Sequence, residues 1–155
     1  MLSVLRRARK SLGRAVLALC AGALAACVQT GGPGPSRGNG GAVQVALLIP
    51  SGSGQTQDEL FGANLENAAR LAMADLSGVA IDLRVYKTGA NPAQAASLAR
   101  QAVDEGAQVI LGPFYSEEAN SAGVAVANSG VSVLAFSNNS AIAGGNVFVL
   151  GQTFD

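Results

Sequence analysis

The stretch VILGPFYSEEANSAGVAVANSGVSVLAF, residues 109–136, decides the fold class. It opens with an apolar run that breaks at Gly112-Pro113, continues as an alanine-rich segment, and closes with a second apolar run. Short apolar runs bounded by turn residues predict buried strands, and the alanine-rich segment between them predicts a helix. A strand, a helix and a strand in this order predict a parallel pair joined by a right-handed crossover.

The same alternation extends through the rest of residues 42–155. Residues 42–49 predict a buried strand that Pro50 ends, and residues 79–86 and 147–151 predict further strands. Residues 91–106 predict a helix with Asn91 as its cap and Pro92 at its first position. We therefore predict an α/β fold in which a parallel sheet lies between two helical layers.

One more helix is predicted over residues 58–78, and Gly78 provides its stop. Apolar residues recur along it at spacings of three and four, which predicts one buried stripe. That stripe consists of Phe61, Leu65, Ala68, Ala69, Ala72 and Leu76.

Residues 1–26 have the features of a secretory signal peptide. The segment MLSVLRRARKSLGR is strongly basic, and AVLALCAGALAA is apolar but shorter than the roughly 20 residues that span a bilayer. The run Leu24-Ala25-Ala26-Cys27 resembles the lipobox of bacterial lipoproteins. That resemblance implies cleavage after residue 26 and a diacylglycerol on Cys27, which would anchor the chain to a membrane. An ordinary signal peptide with a chance cysteine is the alternative.

Residues 27–41 are rich in glycine and proline and predict a flexible tether that lifts the rest of the chain off the membrane. By resemblance to lipoprotein sorting in Gram-negative bacteria, Val28 implies the outer membrane. Cleavage after residue 26 would leave Cys27 as the one remaining cysteine, which excludes a disulfide scaffold.

The charge of residues 27–155 argues against a nucleic-acid partner. Five basic residues stand against ten acidic ones there, so the net charge is near minus five although that of the whole chain is zero. A nucleic-acid-binding protein needs a clustered basic surface to contact phosphates. The sequence therefore favours other partners.

Three loops rich in serine and asparagine follow predicted strands. Ligands of open parallel sheets bind beyond the carboxyl ends of the strands, where these loops would meet. The sequence therefore predicts a ligand cleft with a polar, uncharged rim. The alternative is that serine and asparagine serve only as turn and cap residues, and Ser116 in particular is interpreted as the cap of its helix. The ligand-binding candidates are Ser51, Ser53, Ser116, Ser137, Asn138 and Asn139.

Enzymatic chemistry is not predicted. The chain has no histidine to serve as the base of a serine nucleophile, and residues 112–116 are not a nucleophile elbow. A dinucleotide-binding fingerprint would need a third glycine after Gly52 and Gly54, and an acid at the end of the second strand. Without histidines, a metal would have to be held by carboxylates alone. We therefore predict a binding protein with no cofactor and no metal.

The motifs LLIPSGSG and VILGPFYSEEANSAGVAVANSGVSVLAFSNNSAI resemble the first lobe of type I periplasmic binding proteins of the leucine-binding kind. The resemblance covers residues 42–155. It implies that Ser116 and residues 137–139 hold a ligand carboxylate, while groups that clamp an ammonium come from a second lobe. Phe136 replaces the usual proline and Asn139 replaces a common threonine, which are departures from the amino-acid-binding pattern.

The lipobox, the tether and the phrases LENAARLAMADL and SNNSAIAGGNVFVLGQTF resemble the penicillin-binding protein activator lipoproteins. That branch implies a non-enzymatic lipoprotein, anchored in the outer membrane and facing the periplasm, that activates a peptidoglycan synthase. The alternative function is a substrate-binding lipoprotein of an ABC transporter for amino acids or related small solutes.

The chain stops at GQTFD, directly after an apolar strand. An unpaired strand at a terminus leaves an open edge that favours association with other chains. We therefore expect an incomplete first lobe, and a product of poor stability if translation ends at Asp155.

Overall fold

The computed structural model describes residues 41–152. The predicted signal peptide, Cys27 and residues 28–40 lie outside the described residues, as do residues 153–155. Five strands and three α-helices alternate along the described part. The strands are β1 (Val43–Ile49), β2 (Ile81–Lys87), β3 (Val109–Leu111), β4 (Ser132–Ala135) and β5 (Val147–Val149). The helices are α1 (Thr56–Ala74), α2 (Pro92–Asp104) and α3 (Ser116–Ala125), and a short 3-10 helix covers Ser140–Ile142.

All neighbouring strands of the sheet run parallel, in the order β2-β1-β3-β4-β5. Strand β1 lies between β2 and β3, with Leu47 beside Val85 on one side and Leu111 on the other. The order reverses at β1, because the chain moves outward to β2 and then crosses back to β3. Such a switch point is where open parallel sheets form a crevice at the carboxyl ends of their strands.

The two faces of β1 belong to two different layers. Ala46 and Leu48 join the cluster of buried residues formed with helices α2 and α3. Val45, Leu47 and Ile49 are also buried, but they point to the opposite face, where α1 lies. The predicted three-layer α/β fold with a parallel sheet is thus confirmed.

Small residues bring α2 and α3 close to the sheet and to each other. Ala95, Ala99 and Ala102 of α2 are fully buried, and so are Ala119 and Ala122 of α3. The cap predicted for α2 is confirmed, since the Asn91 side chain accepts hydrogen bonds from the backbone amides of Ala93 and Gln94.

The predicted course of α1 is wrong at its carboxyl end. The helix ends at Ala74 rather than near Gly78, and Leu76 of the predicted stripe is 51% exposed. Phe61, Leu65 and Ala69 are partly buried, as the stripe requires, whereas Ala68 and Ala72 are exposed. A helix of 19 residues is about 28 Å long, whereas a seven-residue strand spans about 23 Å. The last turn of α1 therefore has little sheet to pack against.

Three other predicted elements are shorter than expected, and one of them is β5, which ends at Val149 rather than at residue 151. Strand β2 begins at Ile81, the residue paired with the first residue of β1, so Val79 has no neighbouring strand and is 55% exposed. Helix α3 ends at Ala125 rather than at residue 130, and Val124 in its last turn is 72% exposed. The apolar pattern starts before the residues of β2 that have a neighbouring strand, whereas after α3 it continues in Val126 and Val131, which are buried beyond the end of the helix.

Candidate functional site

The loops after β3 and β4 lie side by side at the carboxyl edge of the sheet. The Gly112 amide donates a hydrogen bond to the Leu134 carbonyl at 2.8 Å, and the Phe136 amide donates to the Pro113 carbonyl at 3.1 Å. Gly112 has a φ of +82°, and a Cβ there would collide with the Leu48 carbonyl oxygen. Only glycine therefore allows this loop to pass so close to β1.

A cavity of about 440 Å³, which we call the cleft, opens between these two loops. Its lining combines aromatic walls with hydroxyl and amide groups, a composition typical of small-molecule sites. The structure brings together three of the predicted ligand-binding candidates here, namely Ser116, Ser137 and Asn138. The full lining is Phe114, Tyr115, Ser116, Phe136, Ser137, Asn138, Gly151 and Gln152.

The other three candidates lie outside the cleft and have local structural contacts. Ser51 is buried beneath α1, where a Cβ on Gly62 would collide with its hydroxyl. The Ser53 hydroxyl donates to Asp58 at 2.6 Å and accepts from the Gln55 amide at 3.1 Å. The Asn139 side chain accepts from the Ala141 amide at 3.0 Å and caps the 3-10 helix.

The interpretation of Ser116 as a helix cap is wrong. Tyr115 occupies the capping position of α3 with extended backbone angles, and no side chain makes a capping hydrogen bond there. Ser116 is instead the first helical residue. Its hydroxyl therefore lies at the cleft beside the amino end of α3, where helix backbone amides favour anionic groups.

A second cavity, of about 310 Å³, lies on the side of Tyr115 and Ser116 that faces α1 and α2; we call it the acidic cavity. Three acidic residues line it, and its described lining contains no basic side chain. Sequence reasoning missed this site, although all three acids stand in the first turns of α1 and α3. The lining residues are Gln55, Asp58, Ala90, Pro92, Tyr115, Ser116, Glu117 and Glu118.

Asp58 is held as a carboxylate by two hydroxyl groups. The Ser53 hydroxyl donates to one oxygen at 2.6 Å and the Tyr115 hydroxyl donates to the other at 2.5 Å. Because both bonds stabilise the charged form, they lower the pKa of Asp58. The bond to Asp58, together with burial, raises the pKa of Tyr115 to about 12.

Glu118 is 1% exposed, and neither of its carboxylate oxygens has a hydrogen-bond partner within residues 41–152. Burial raises its pKa, and the nearby charge of Asp58 adds to this rise. The Thr88 hydroxyl and the Tyr115 backbone lie close enough to stabilise the charged form, so they partly oppose this rise. The Thr88 hydroxyl donates its hydrogen bond to the Ile49 carbonyl at 3.0 Å. Its neighbour Glu117 is exposed to solvent.

Within residues 41–152, no three histidine, cysteine, aspartate or glutamate side chains are placed to hold a metal ion together. Across the same residues, no helix is both long enough and apolar enough to cross a membrane.

The periplasmic binding protein family matches residues 42–155, and the chain belongs to that family. Members of this family are binding proteins of the periplasm. No curated protein matches the chain.

The chain is similar to solved structures whose sequences are less than 25% identical to it. A periplasmic binding protein from Burkholderia mallei is 19% identical with a TM-score of 0.58, and the match covers 68% of this chain and 30% of that one. A solute-binding protein of an ABC transporter from R. palustris, in complex with 4-hydroxybenzoate, is 22% identical with a TM-score of 0.57, covering 66% and 29%. An ABC-type branched-chain amino acid transporter protein from Rhodopseudomonas palustris is 17% identical with a TM-score of 0.53, covering 72% and 33%.

These similarities show the fold. In each case the match spans about a third or less of the length of the solved protein.

Proposed function

We propose that this protein is a solute-binding protein of an ABC transporter, and that its cleft holds a small carboxylate with an aromatic or branched apolar body. The observation that carries the proposal is the pairing of aromatic rings with serine hydroxyls in one cavity at the carboxyl edge of the sheet. Phe114 and Phe136 supply apolar walls, and Ser116 and Ser137 supply hydroxyl donors.

The position of Ser116 supports a carboxylate as the polar part of the ligand. It is the first residue of α3, where unpaired backbone amides and the helix dipole favour a negative charge. Ser137 is 6% exposed and its hydroxyl accepts a hydrogen bond from the Asn139 amide at 3.1 Å, so its own proton remains free to be donated.

The volume and lining of the cleft support a ligand of modest size. Small-molecule sites have volumes of about 300–1,000 Å³, and the cleft lies near the lower end at about 440 Å³. The R. palustris protein of the same fold was solved with 4-hydroxybenzoate, and a second one with benzoate, which combine a carboxylate with one aromatic ring.

Isothermal titration of the full-length protein with benzoate, 4-hydroxybenzoate, leucine and isoleucine tests the proposal. We expect saturable binding of at least one of them with a micromolar dissociation constant. Flat titrations across the whole set would contradict this function.

A second candidate function, activation of a peptidoglycan synthase by an outer-membrane lipoprotein, is favoured by the lipobox at Leu24-Ala25-Ala26-Cys27 and by the tether after it. Labelling of cells with a radioactive fatty acid should mark the native protein but not a Cys27→Ser variant. Capture of a class A penicillin-binding protein, with a faster transglycosylase reaction, would support the activator function. Absence of both would remove it, whatever the outcome of the ligand titrations.

A further inference from the structure

Three aromatic rings pack against one another beside the cleft. Phe114 and Tyr115 belong to the lining of the cleft, whereas Phe61 lies on α1 and is not part of that lining. The ring centroids of Phe61 and Phe114 are 4.8 Å apart with their planes inclined at 31°, and the ring of Tyr115 meets that of Phe114 edge to face at 5.1 Å and 84°. Both distances lie in the range that interacting aromatic pairs adopt.

Helix α1 holds both of the lining rings in this cluster. Asp58 and Phe61 are three residues apart in α1 and therefore lie on one face of the helix. The Asp58 carboxylate accepts the hydrogen bond of the Tyr115 hydroxyl at 2.5 Å, and the Phe61 ring packs on the Phe114 ring. Each of the two neighbouring lining residues thus has its own contact with α1.

The position of α1 is itself fixed close to these contacts. Gly62 is buried and follows Phe61 directly, and a Cβ on Gly62 would collide with the hydroxyl of buried Ser51. Glycine therefore lets α1 lie closer to the loop after β1 than a residue with a side chain would allow. As a result, Asp58 and Phe61 have fixed positions relative to the carboxyl edge of the sheet.

The rings offer the cleft apolar surface and no free hydroxyl donor. Tyrosine has one hydroxyl proton, and Tyr115 donates it to Asp58. Phe114 and Phe136, the other rings in the lining, carry no polar atom. A ring that is already held in place loses little freedom when a ligand binds, and a pair of aromatic rings gains more than the burial of its area alone provides.

We propose that Phe61 is a positioning residue which, together with Asp58, holds Phe114 and Tyr115 so that the cleft selects a carboxylate with an aromatic ring over one with a saturated ring of the same size. This inference rests on the proposed capture of a carboxylate in the cleft and names the class of that ligand. Phe61 acts through Phe114 and does not touch the ligand.

The test compares benzoate with cyclohexanecarboxylate by isothermal titration of the full-length protein. The two probes have the same carboxylate and the same number of carbon atoms, and they differ in whether the ring is aromatic. We expect the native protein to bind benzoate about two- to tenfold more tightly. Equal affinities would overturn this inference and leave the proposed function standing. Flat titrations with both probes would also overturn it, and leucine and isoleucine then decide whether the proposed function stands.

Substitutions of Phe61 test the positioning role. Phe61→Leu should lower the preference for benzoate toward equal affinity, whereas Phe61→Tyr retains a ring and should keep the native preference. Phe148→Leu makes the same change at a residue of β5 that is 51% exposed and outside the cleft lining, and it should also keep the native preference. A merely structural role of Phe61 would weaken both probes by the same factor, so an unchanged preference in Phe61→Leu would overturn the proposal.

A second variant serves if Phe61→Leu does not fold. Tyr115→Phe keeps the ring in the cleft and removes its hydrogen bond to Asp58. The freed ring should lower the preference for benzoate over cyclohexanecarboxylate. A native preference in Tyr115→Phe would then overturn the proposal.

Discussion

The Tyr115 hydroxyl donates a hydrogen bond to the Asp58 carboxylate at 2.5 Å, although the two residues are 57 positions apart in the chain. This bond joins the first turn of α1 to the start of α3. The Ser53 hydroxyl holds the other oxygen of the same carboxylate. This pair of bonds fixes Tyr115 at the wall shared by the cleft and the acidic cavity. The carboxyl edge of the sheet is therefore organised around an aspartate that the predicted site did not include.

The first prediction concerns the pKa of Asp58. Ser53→Ala should raise it toward the ordinary value, and Tyr115→Phe should raise it by a smaller amount, because the bond from Ser53 is the larger cause of the lowering. The measurement is an NMR titration of the Asp58 carboxyl carbon. Tyr86→Phe is the control, since Tyr86 donates to Glu105 and not to Asp58. An Asp58 pKa that does not respond to Ser53→Ala would contradict this account.

The sign of the Asp58 contribution to stability follows from the same shift. Its folded-state pKa is lowered, so its contribution is present above the unfolded-state pKa and is lost as the pH falls through the folded-state pKa. We expect Asp58→Asn to destabilise the protein at pH 7 and to have a smaller effect near pH 2. Urea denaturation at both pH values measures the difference, and an equal destabilisation at both would show that the charge is not responsible.

Glu118 should act in the opposite direction. Its folded-state pKa is raised, so ionisation costs stability as the pH rises through the interval between the unfolded-state and the folded-state pKa. Glu118→Gln should stabilise the protein at pH 7, because it removes a buried carboxyl whose ionisation is unfavourable and leaves a neutral side chain of the same size. The gain should shrink toward pH 4.

Glu117→Gln provides the matched control for that comparison, because Glu117 is adjacent and exposed. Its effect on the unfolding free energy should stay within about 0.5 kcal/mol at every pH. A Glu118→Gln variant that is no more stable than Glu117→Gln at pH 7 would show that the buried carboxyl carries no such cost.

The close packing of α3 on β5 gives a prediction about stability. A Cβ on Gly123 would collide with the Val147 side chain. Gly123→Ala should therefore destabilise the protein by about 1–3 kcal/mol, the usual cost of overpacking. Thermal denaturation of Gly123→Ala, Val147→Ala and the double variant forms a cycle, in which Val147→Ala should relieve part of the penalty. Additive effects would contradict a collision between these two residues.

The charge at the start of α3 should limit anion binding in the cleft. Exposed Glu117 opposes the field of the helix amino end, whose effect on a charge is about 0.3–1 kcal/mol. Glu117→Gln should therefore strengthen binding of a carboxylate about two- to fivefold. Titration with the best carboxylate ligand checks this, and unchanged affinity would show that the electrostatic argument is wrong.

Much of the fold could be predicted from the sequence, because alternating strands and helices leave clear apolar patterns. The apolar runs at residues 42–49 and 131–136 contain β1 and β4, and Asn91 caps its helix as predicted. The ends of α1 and α3 could not be predicted. Leu76 continues the apolar pattern beyond the point where α1 has sheet to pack against, and that point depends on strand lengths elsewhere in the chain. After α3, Val126 and Val131 are buried although the helix has ended, so the apolar pattern does not mark its end.

The candidate site was predicted less completely than the fold. Loop composition suggested Ser116, Ser137 and Asn138, which meet in the cleft, but it suggested Ser51, Ser53 and Asn139 equally. Which candidates reach the cleft depends on how the loops after β3 and β4 contact each other. The Gly112 turn and the hydrogen bond from the Phe136 amide to the Pro113 carbonyl determine that contact. Glu118 was missed because the local sequence does not indicate that this glutamate of α3 is buried while its neighbour Glu117 is exposed.

The central claim is that Ser116 and Ser137 bind the carboxylate of a small solute. The most direct measurement is the dissociation constant of the tightest ligand from the titration panel, compared among the native protein, Ser116→Ala and Ser137→Ala. A hydrogen bond to a charged group is worth about 1.5–3 kcal/mol, so each variant should bind roughly 10- to 100-fold more weakly. Ser97→Ala, an exposed position on α2, should bind like the native protein. Native affinity in both Ser116→Ala and Ser137→Ala would contradict the claim.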